Sequence, residues 1–125
     1  MGVQRLYNTI EPKFRKVSEL DGYKEFKDYY VFPSGNVYSV RKLTHHKNRN
    51  GYTRVRMSAG ANNRKSVLNH VLVALGWLTD KIENTFQVNH KDYDRDNPAL
   101  ENLEVITMLE NIAHRDARKK EEEPF

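Results

Sequence analysis

The sequence predicts an α+β protein: a small antiparallel β-sheet followed by a helix, then a C-terminal hairpin crossed by a second helix. Three observations carry that prediction. Aromatic and β-branched runs around Pro-Ser-Gly-Asn and Asn-Gly turns fill residues 29 to 57. The run SVLNHVLVALGW is apolar almost all round. The last part reads as a short strand, a polar loop, a second short strand and a charged helix.

In chain order, residues 1 to 22 mix charges with isolated apolar residues, and Pro12 and Gly22 interrupt any period. A loose arm is expected there, with one short helix around residues 13 to 20. DYYVF and VYSVRK flank the first turn as a pair of strands. After the polar loop LTHHKNRNG, YTRVRM alternates, with Tyr52, Arg54 and Arg56 on one face and Thr53, Val55 and Met57 on the other. SAGANN turns the chain into RKSVL, closing a small sheet with arginines and a tyrosine on one face. A helix is expected from Ser66 or Val67 to about Leu75, ended by Gly76, and buried. FQVNH and LEVIT are strands flanking the loop KDYDRDNPALE. Thr107 and Glu110 form a Thr-x-x-Glu capping box that opens a helix running to about Lys119, beyond which the charged tail frays.

Composition narrows the function. A chain of 125 residues suits one domain, or one with a small appendage. The absence of cysteine excludes a disulfide framework and a thiolate zinc knuckle, and fits a reducing cytoplasm. No apolar run is long enough to span a bilayer, so no membrane partner is expected. MGVQRLYNTI lacks the apolar stretch of a secretory signal, and Gln4, Arg5 and Leu6 make a poor myristoylation context. Net charge is +4, but its distribution says more: between Asp28 and Asp80 there is no acid at all. That stretch holds Arg41, Lys42, Lys47, Arg49, Arg54, Arg56, Arg64 and Lys65. The asymmetry points to a positive surface facing a nucleic acid, with Tyr52 among its candidate contacts. A small sheet of this kind fits a DNA major groove.

The chemistry-bearing residues are Asn89 and His90 ending one strand, Asn102 at the start of the next, and Asn111 one turn into the last helix. A hairpin with a helix across it brings these places together. Phosphodiester hydrolysis needs a base for water, a metal for the charged phosphate and leaving oxygen, and something to hold the base. Histidine suits the first task, and carboxamide oxygens suit a hard ion such as Mg²⁺. A carbonyl on Nδ1 of the histidine would fix the tautomer that turns Nε2 to the water.

VNHKDYDRDNPALENLEVITMLEN resembles the central motif of phage HNH homing endonucleases, where Asn/Asp-His, an Asn before Leu and a helical Glu-Asn recur at similar spacing. NHVLVALGW resembles the helix that precedes the nuclease hairpin in that family, and KEFKDYYVFPSGNVYSVRK resembles a nuclease-associated module. The resemblance covers roughly residues 23 to 116. It implies a ββα-metal hairpin and helix, with His90 as general base, Asn89 and Asn111 as ligands of one divalent metal, and Asn102 orienting the base from within the loop. Mg²⁺ is the expected ion, with Mn²⁺ as substitute. Products would carry 5′ phosphate and 3′ hydroxyl, and one site would cut one strand of duplex DNA per event. A double-strand break would take a homodimer or sequential cuts by a monomer. The implied division is an arm at 1–22, a β-rich DNA-binding module at 23–66, the nuclease module at 67–118 and a charged tail at 119–125. The setting is the cytoplasm of a bacterial host. The chain departs from the family at Tyr93, where the loop has glycine, at Asn97-Pro98 in place of an Asn pair, and at Val105 in place of Trp. Asn89, where some members have Asp, neutralises the ion less and predicts weaker metal affinity without DNA.

Blander readings stand beside these. His114 is an extra metal ligand, a phosphate contact or a surface histidine; His70 reads as a packed, hydrogen-bonded core residue; His45 and His46 face solvent or phosphate; Trp77 belongs to the core. Asp92, Asp94 and Asp96 alternate like a calcium loop, but no Glu stands at its twelfth position. The rival to an endonuclease is a non-catalytic DNA-binding regulator on the same frame, and an RNA-directed protein is the third reading.

Overall fold

The computed structural model describes residues 13–82 and 86–122; residues 1–12 of the expected arm and the last three of the tail lie outside it. The described part of the arm is not loose. Arg15–Lys16 forms strand β1, and a single 3-10 turn at Val17–Glu19 replaces the expected helix. Val17 and Leu20 are buried, so two apolar side chains pin this segment to the core.

β1 pairs antiparallel with β2 (Tyr30–Val31), which pairs with β3 (Val37–Tyr38). The turn between β2 and β3 needs Gly35 twice over. Its φ is +93°, and a Cβ there would lie 2.4 Å from Pro98. The Leu100 N–H donates to the Pro33 carbonyl at 2.6 Å beside it. The N-terminal hairpin thus grips the loop that follows His90, far away in sequence.

The second sheet is β4 (His46–Lys47), β5 (Thr53–Ser58) and β6 (Arg64–Leu68), in that order. The strands therefore split into two small sheets rather than one. Thr53, Val55 and Met57 are buried, and the residues between them face outward, as the period of two requires. Helix α1 spans Asn69–Trp77, starting later than expected because Ser66 and Val67 are held in β6 opposite Arg56 and Val55. Gly76 lies inside the helix, where the Arg15 side chain passes over it and donates to its carbonyl at 3.1 Å. Leu72, Val73 and Ala74 are fully buried, and α1 touches strands of all the sheets around it.

β7 (Phe86–His90) and β8 (Leu103–Thr107) form the C-terminal hairpin, with His90 opposite Leu103 and Asn89 opposite Glu104. Helix α2 (Met108–Glu122) follows without a break and packs on both strands. Its start is the capping box: the Glu110 N–H donates to Thr107 Oγ1 at 3.2 Å, and Oγ1 donates to Glu110 Oε1 at 3.0 Å.

One core runs through all of this. Val17, Phe26, Val31, Val55, Leu72 and Leu103 belong to the same buried cluster. Full burial of each such aliphatic or aromatic side chain is worth about 1.5–3 kcal/mol. The first sheet, the second sheet and the hairpin are therefore locked through α1, which fixes the histidine-bearing strand against the basic sheet. Trp77 is half-buried against this core, with the Arg15 guanidinium 4.9 Å over its ring.

Candidate active site

Successive strand residues project to opposite faces, which divides the work at the end of β7. Gln87 and Asn89 share the face toward α2; Val88 and His90 share the face toward the core and α1. The loop after His90 then bends back, and a cleft of about 310 Å³ opens at the strand end, lined by His90, Asn89, Asn111, His114 and three arginines.

His90 is 5% exposed. Burial lowers its pKa below the ordinary histidine value, against the opposing pull of Asp92 and Asp94. Burial thus favours its uncharged form. Of its ring nitrogens only Nε2 is both buried and without a hydrogen-bond partner. That reverses the orientation expected from sequence, because His90 packs its Nε2 edge among side chains and no carbonyl is bonded to Nδ1 among the described residues.

Asn89 is buried, and its Nδ2 donates to Glu104 Oε1 across the hairpin at 2.9 Å. Asn111 donates from Nδ2 to Gln87 Oε1. Both amide nitrogens are thus held by strand side chains, which fixes each amide's rotation and leaves its Oδ1 free of hydrogen bonds among the described residues. Two preset carboxamide oxygens are chemistry that suits a hard divalent cation. Among the described residues no group of three or more His, Asp or Glu is placed to hold a metal.

Asn102 is buried and closes the loop from inside. Its Oδ1 accepts from the Asp92 N–H at 2.9 Å, and its Nδ2 donates to Asp92 Oδ1 at 2.8 Å and to the Asn97 carbonyl at 3.0 Å. Asn97 Nδ2 bonds the other Asp92 oxygen at 2.9 Å and holds that carboxyl below its usual pKa. Asp92 and Asp94 each also accept a backbone N–H two residues on, at 2.8 and 2.9 Å. The alternating acids therefore fold the loop. Asp96 is tied to β5 by the Thr53 hydroxyl, the chief cause of its lowered pKa, and to Lys47 at 3.5 Å.

Tyr93 explains its own departure from the family pattern. Its φ is +65°, the left-handed region that favours glycine. In return its ring stacks on half-buried His114 at 4.2 Å, its hydroxyl donates to the His114 carbonyl at 3.1 Å, and the Arg118 guanidinium lies 4.9 Å over it.

The basic residues divide by register. Arg54, Arg56 and Arg64 share the outward face of β5 and β6, with His46 beside Arg54. Arg54 also donates to Ser66 Oγ at 2.9 Å. Lys65 lies opposite Met57, on the other face, with its ammonium 5.4 Å over the Tyr23 ring. Tyr52 leaves the arginine face because it precedes the strand; its ring turns into the cleft, 5.5 Å from His90 and 5.0 Å from His70. Lys47 is paired with Asp96, Arg49 is exposed in the turn after β4, and Arg41 and Lys42 are exposed beside β3. His70 is buried as expected but not hydrogen-bonded at Nδ1, because its ring meets His90 instead. His45 contacts buried Asn69 at 3.3 Å.

Sequence reasoning missed Arg95, Arg115 and Arg118, which line the cleft. Arg115 and Arg118 follow Asn111 at helical spacing, a signal that was present. Arg95 gave none: it reaches the cleft from the loop, donating to the Asn50 carbonyl at 3.0 Å.

No family model matches the chain. It is 34% identical over 86 residues to H-N-H endonuclease F-TflII of Escherichia phage T5, a match covering 66% of this chain and 45% of that protein. It is 35% identical over 92 residues to an uncharacterised HNH endonuclease of Acanthamoeba polyphaga mimivirus, covering 71% of this chain and 23% of the relative. The fold is similar to that of the HNH homing endonuclease I-HmuI, from a structure concerning DNA binding and cleavage by that enzyme. The TM-score is 0.69 at 26% identity, over 86% of this chain and 59% of the other. The chain thus spans less than half the length of the curated relatives it matches. The motif, the hairpin-helix frame and these relatives agree: the chain is similar to HNH endonucleases in sequence and to an HNH homing endonuclease in fold.

Proposed function

We propose that this chain cuts one strand of duplex DNA by metal-dependent phosphodiester hydrolysis, with His90 as general base. The observation that carries this reading is the convergence on one cleft of a buried histidine, two preset amide oxygens and three arginines. His90 accepts the proton of the attacking water. Asn102 keeps the loop closed so that the base stays at the cleft wall. Arg95, Arg115 and Arg118 neutralise the phosphates on either side of the scissile one. Asn89 and Asn111 would hold the ion, Mg²⁺ or Mn²⁺, through their free oxygens. Once bound, such an ion supplies Lewis-acid stabilisation of the phosphate and the departing oxygen. The arginine face of β5 and β6 binds the duplex backbone beside the cleft. A phage-type relative suits work in the cytoplasm of a bacterial host.

The test is conversion of supercoiled plasmid with Mg²⁺ or Mn²⁺, comparing wild type, His90→Ala and a chelator control. Metal-dependent nicking that falls by about 10²-fold or more in His90→Ala supports the reading. DNA binding without cleavage across both metals and a broad set of target sequences gives the chain to the non-catalytic rival. Calorimetry with Mn²⁺ tests the ligands separately: Asn89→Asp should bind the ion more tightly than wild type without DNA, and equal affinities would remove Asn89 from the ligand set.

A further inference from the structure

The buried titratable group left out of this chemistry is His70. It is the second residue of α1 and 7% exposed. Its ring meets that of His90 edge-on, 4.7 Å between centroids and 67° between planes. Tyr52 lies against both rings and closes the group from the β5 side. Inside this cluster two polar atoms are buried without a hydrogen bond, Nδ1 of His70 and Nε2 of His90. Orphaned buried polar atoms are costly; no hydrogen bond joins these two in the structure, but the rings touch, and a small turn of either would let one bond satisfy both.

We propose that His70 is the positioning residue for His90: its Nδ1 accepts the Nε2 proton of His90, leaving the lone pair of His90 Nδ1 to face the cleft. This rests on the reading of His90 as base and adds which nitrogen takes the proton. A neutral imidazole has one N–H and one bare nitrogen, so the bond made by one nitrogen decides the role of the other. The opposite polarity, with His70 donating from Nδ1, would put the His90 proton on Nδ1 and leave the base no lone pair toward the water. His70 suits the acceptor role because it stays uncharged: burial first, and His90 second, lower its pKa to about 3. As water attacks, its O–H bond breaks and the proton joins Nδ1 of His90; the oxygen lone pair forms the new bond to phosphorus while the P–O3′ bond breaks, its electron pair leaving on the 3′ oxygen, which takes a proton from solvent water. The Nε2–H stays in place, and its bond to His70 strengthens as His90 becomes cationic.

The test is long-range ¹H–¹⁵N imidazole NMR above pH 7 on the wild type, His70→Gln and His70→Phe, with His90→Ala used for assignment. The wild type should show the His90 proton on Nε2; a proton on Nδ1 overturns the inference, whether or not any variant folds. His70→Phe should mix the two tautomers, and His70→Gln, which keeps an acceptor, should restore the Nε2–H form. In plasmid nicking, His70→Phe should lower turnover roughly 10- to 100-fold, with KM for DNA within about twofold, and His70→Gln should recover part of the loss. Unchanged tautomer and turnover in His70→Phe overturn the inference. A wild type that never nicks overturns the endonuclease reading, while the spectrum still decides the His70–His90 bond.

Discussion

The loop after β7 and the outward face of β5 and β6 are both rich in charge, yet they are built in opposite ways. In the loop, Asp92 is bonded by Asn97 and Asn102, Asp94 by a backbone N–H, and Asp96 by Thr53 and Lys47. On the sheet, Arg56 and Arg64 are exposed, and their guanidinium groups have no ion pair or hydrogen bond among the described residues. A carboxylate saturated with internal donors holds a backbone shape and has little left for a ligand. A guanidinium with no partner costs the fold nothing when it is removed, and its whole charge remains for a polyanion. On the proposed function, the first region would position chemistry and the second would collect the substrate.

The sharpest way to break this contrast is Asn102→Ala. It removes three side-chain hydrogen bonds and strands the Asp92 N–H. A loss of about 2–3 kcal/mol in chemical denaturation is expected, together with a fall in nicking. A loss below about 0.5 kcal/mol would mean that the loop holds itself. Acid separates the regions next. His70 has a folded pKa of about 3, below its ordinary 6.5, so the unfolded chain binds the extra proton between those values. Stability should be fully present above pH 6.5 and fall below it. The slope approaches about 1.4 kcal/mol per pH unit for that group, and His70→Gln should flatten it. On the arginine face, Arg56→Ala with Arg64→Ala should leave unfolding within about 0.5 kcal/mol and flatten the log–log salt dependence of DNA affinity by about 2. The smallest effect sharpens the division by face: Lys65→Ala, on the opposite side, should leave that salt slope unchanged. An equal drop for Lys65 and Arg64 would show that charge alone matters, not register.

The sequence carried the functional frame far. Asn89 and His90 end the first strand and Asn111 lies in the helix as the local patterns predict, Asn102 sits in a 3-10 turn just before the second strand rather than at its start, and the capping box at Thr107 marks where the helix begins. These are local signals, because each depends on residues a few positions apart. Alternation in RKSVL also held the placement of Lys65, since buried Val67 shares its face; taking Ser66 and Val67 for the helix start hid it.

Other parts had no local signal. Tyr52 and His70 reach His90 from the residue before β5 and from α1, and no spacing in the chain states that three rings 18 and 20 residues apart will touch. Val17 and Leu20 looked like isolated apolar residues in an arm until the core offered them a place. Gly35 read as an ordinary turn glycine, yet Pro98 leaves no room for a side chain there. By itself the sequence determined the strand, loop, strand and helix of the C-terminal part and named candidate residues for the chemistry, since propensity, periodicity and motif spacing act over short distances. Only the tertiary structure decided which groups are desolvated and which rings meet, because burial and contact arise when α1 packs the two sheets and the hairpin into one core.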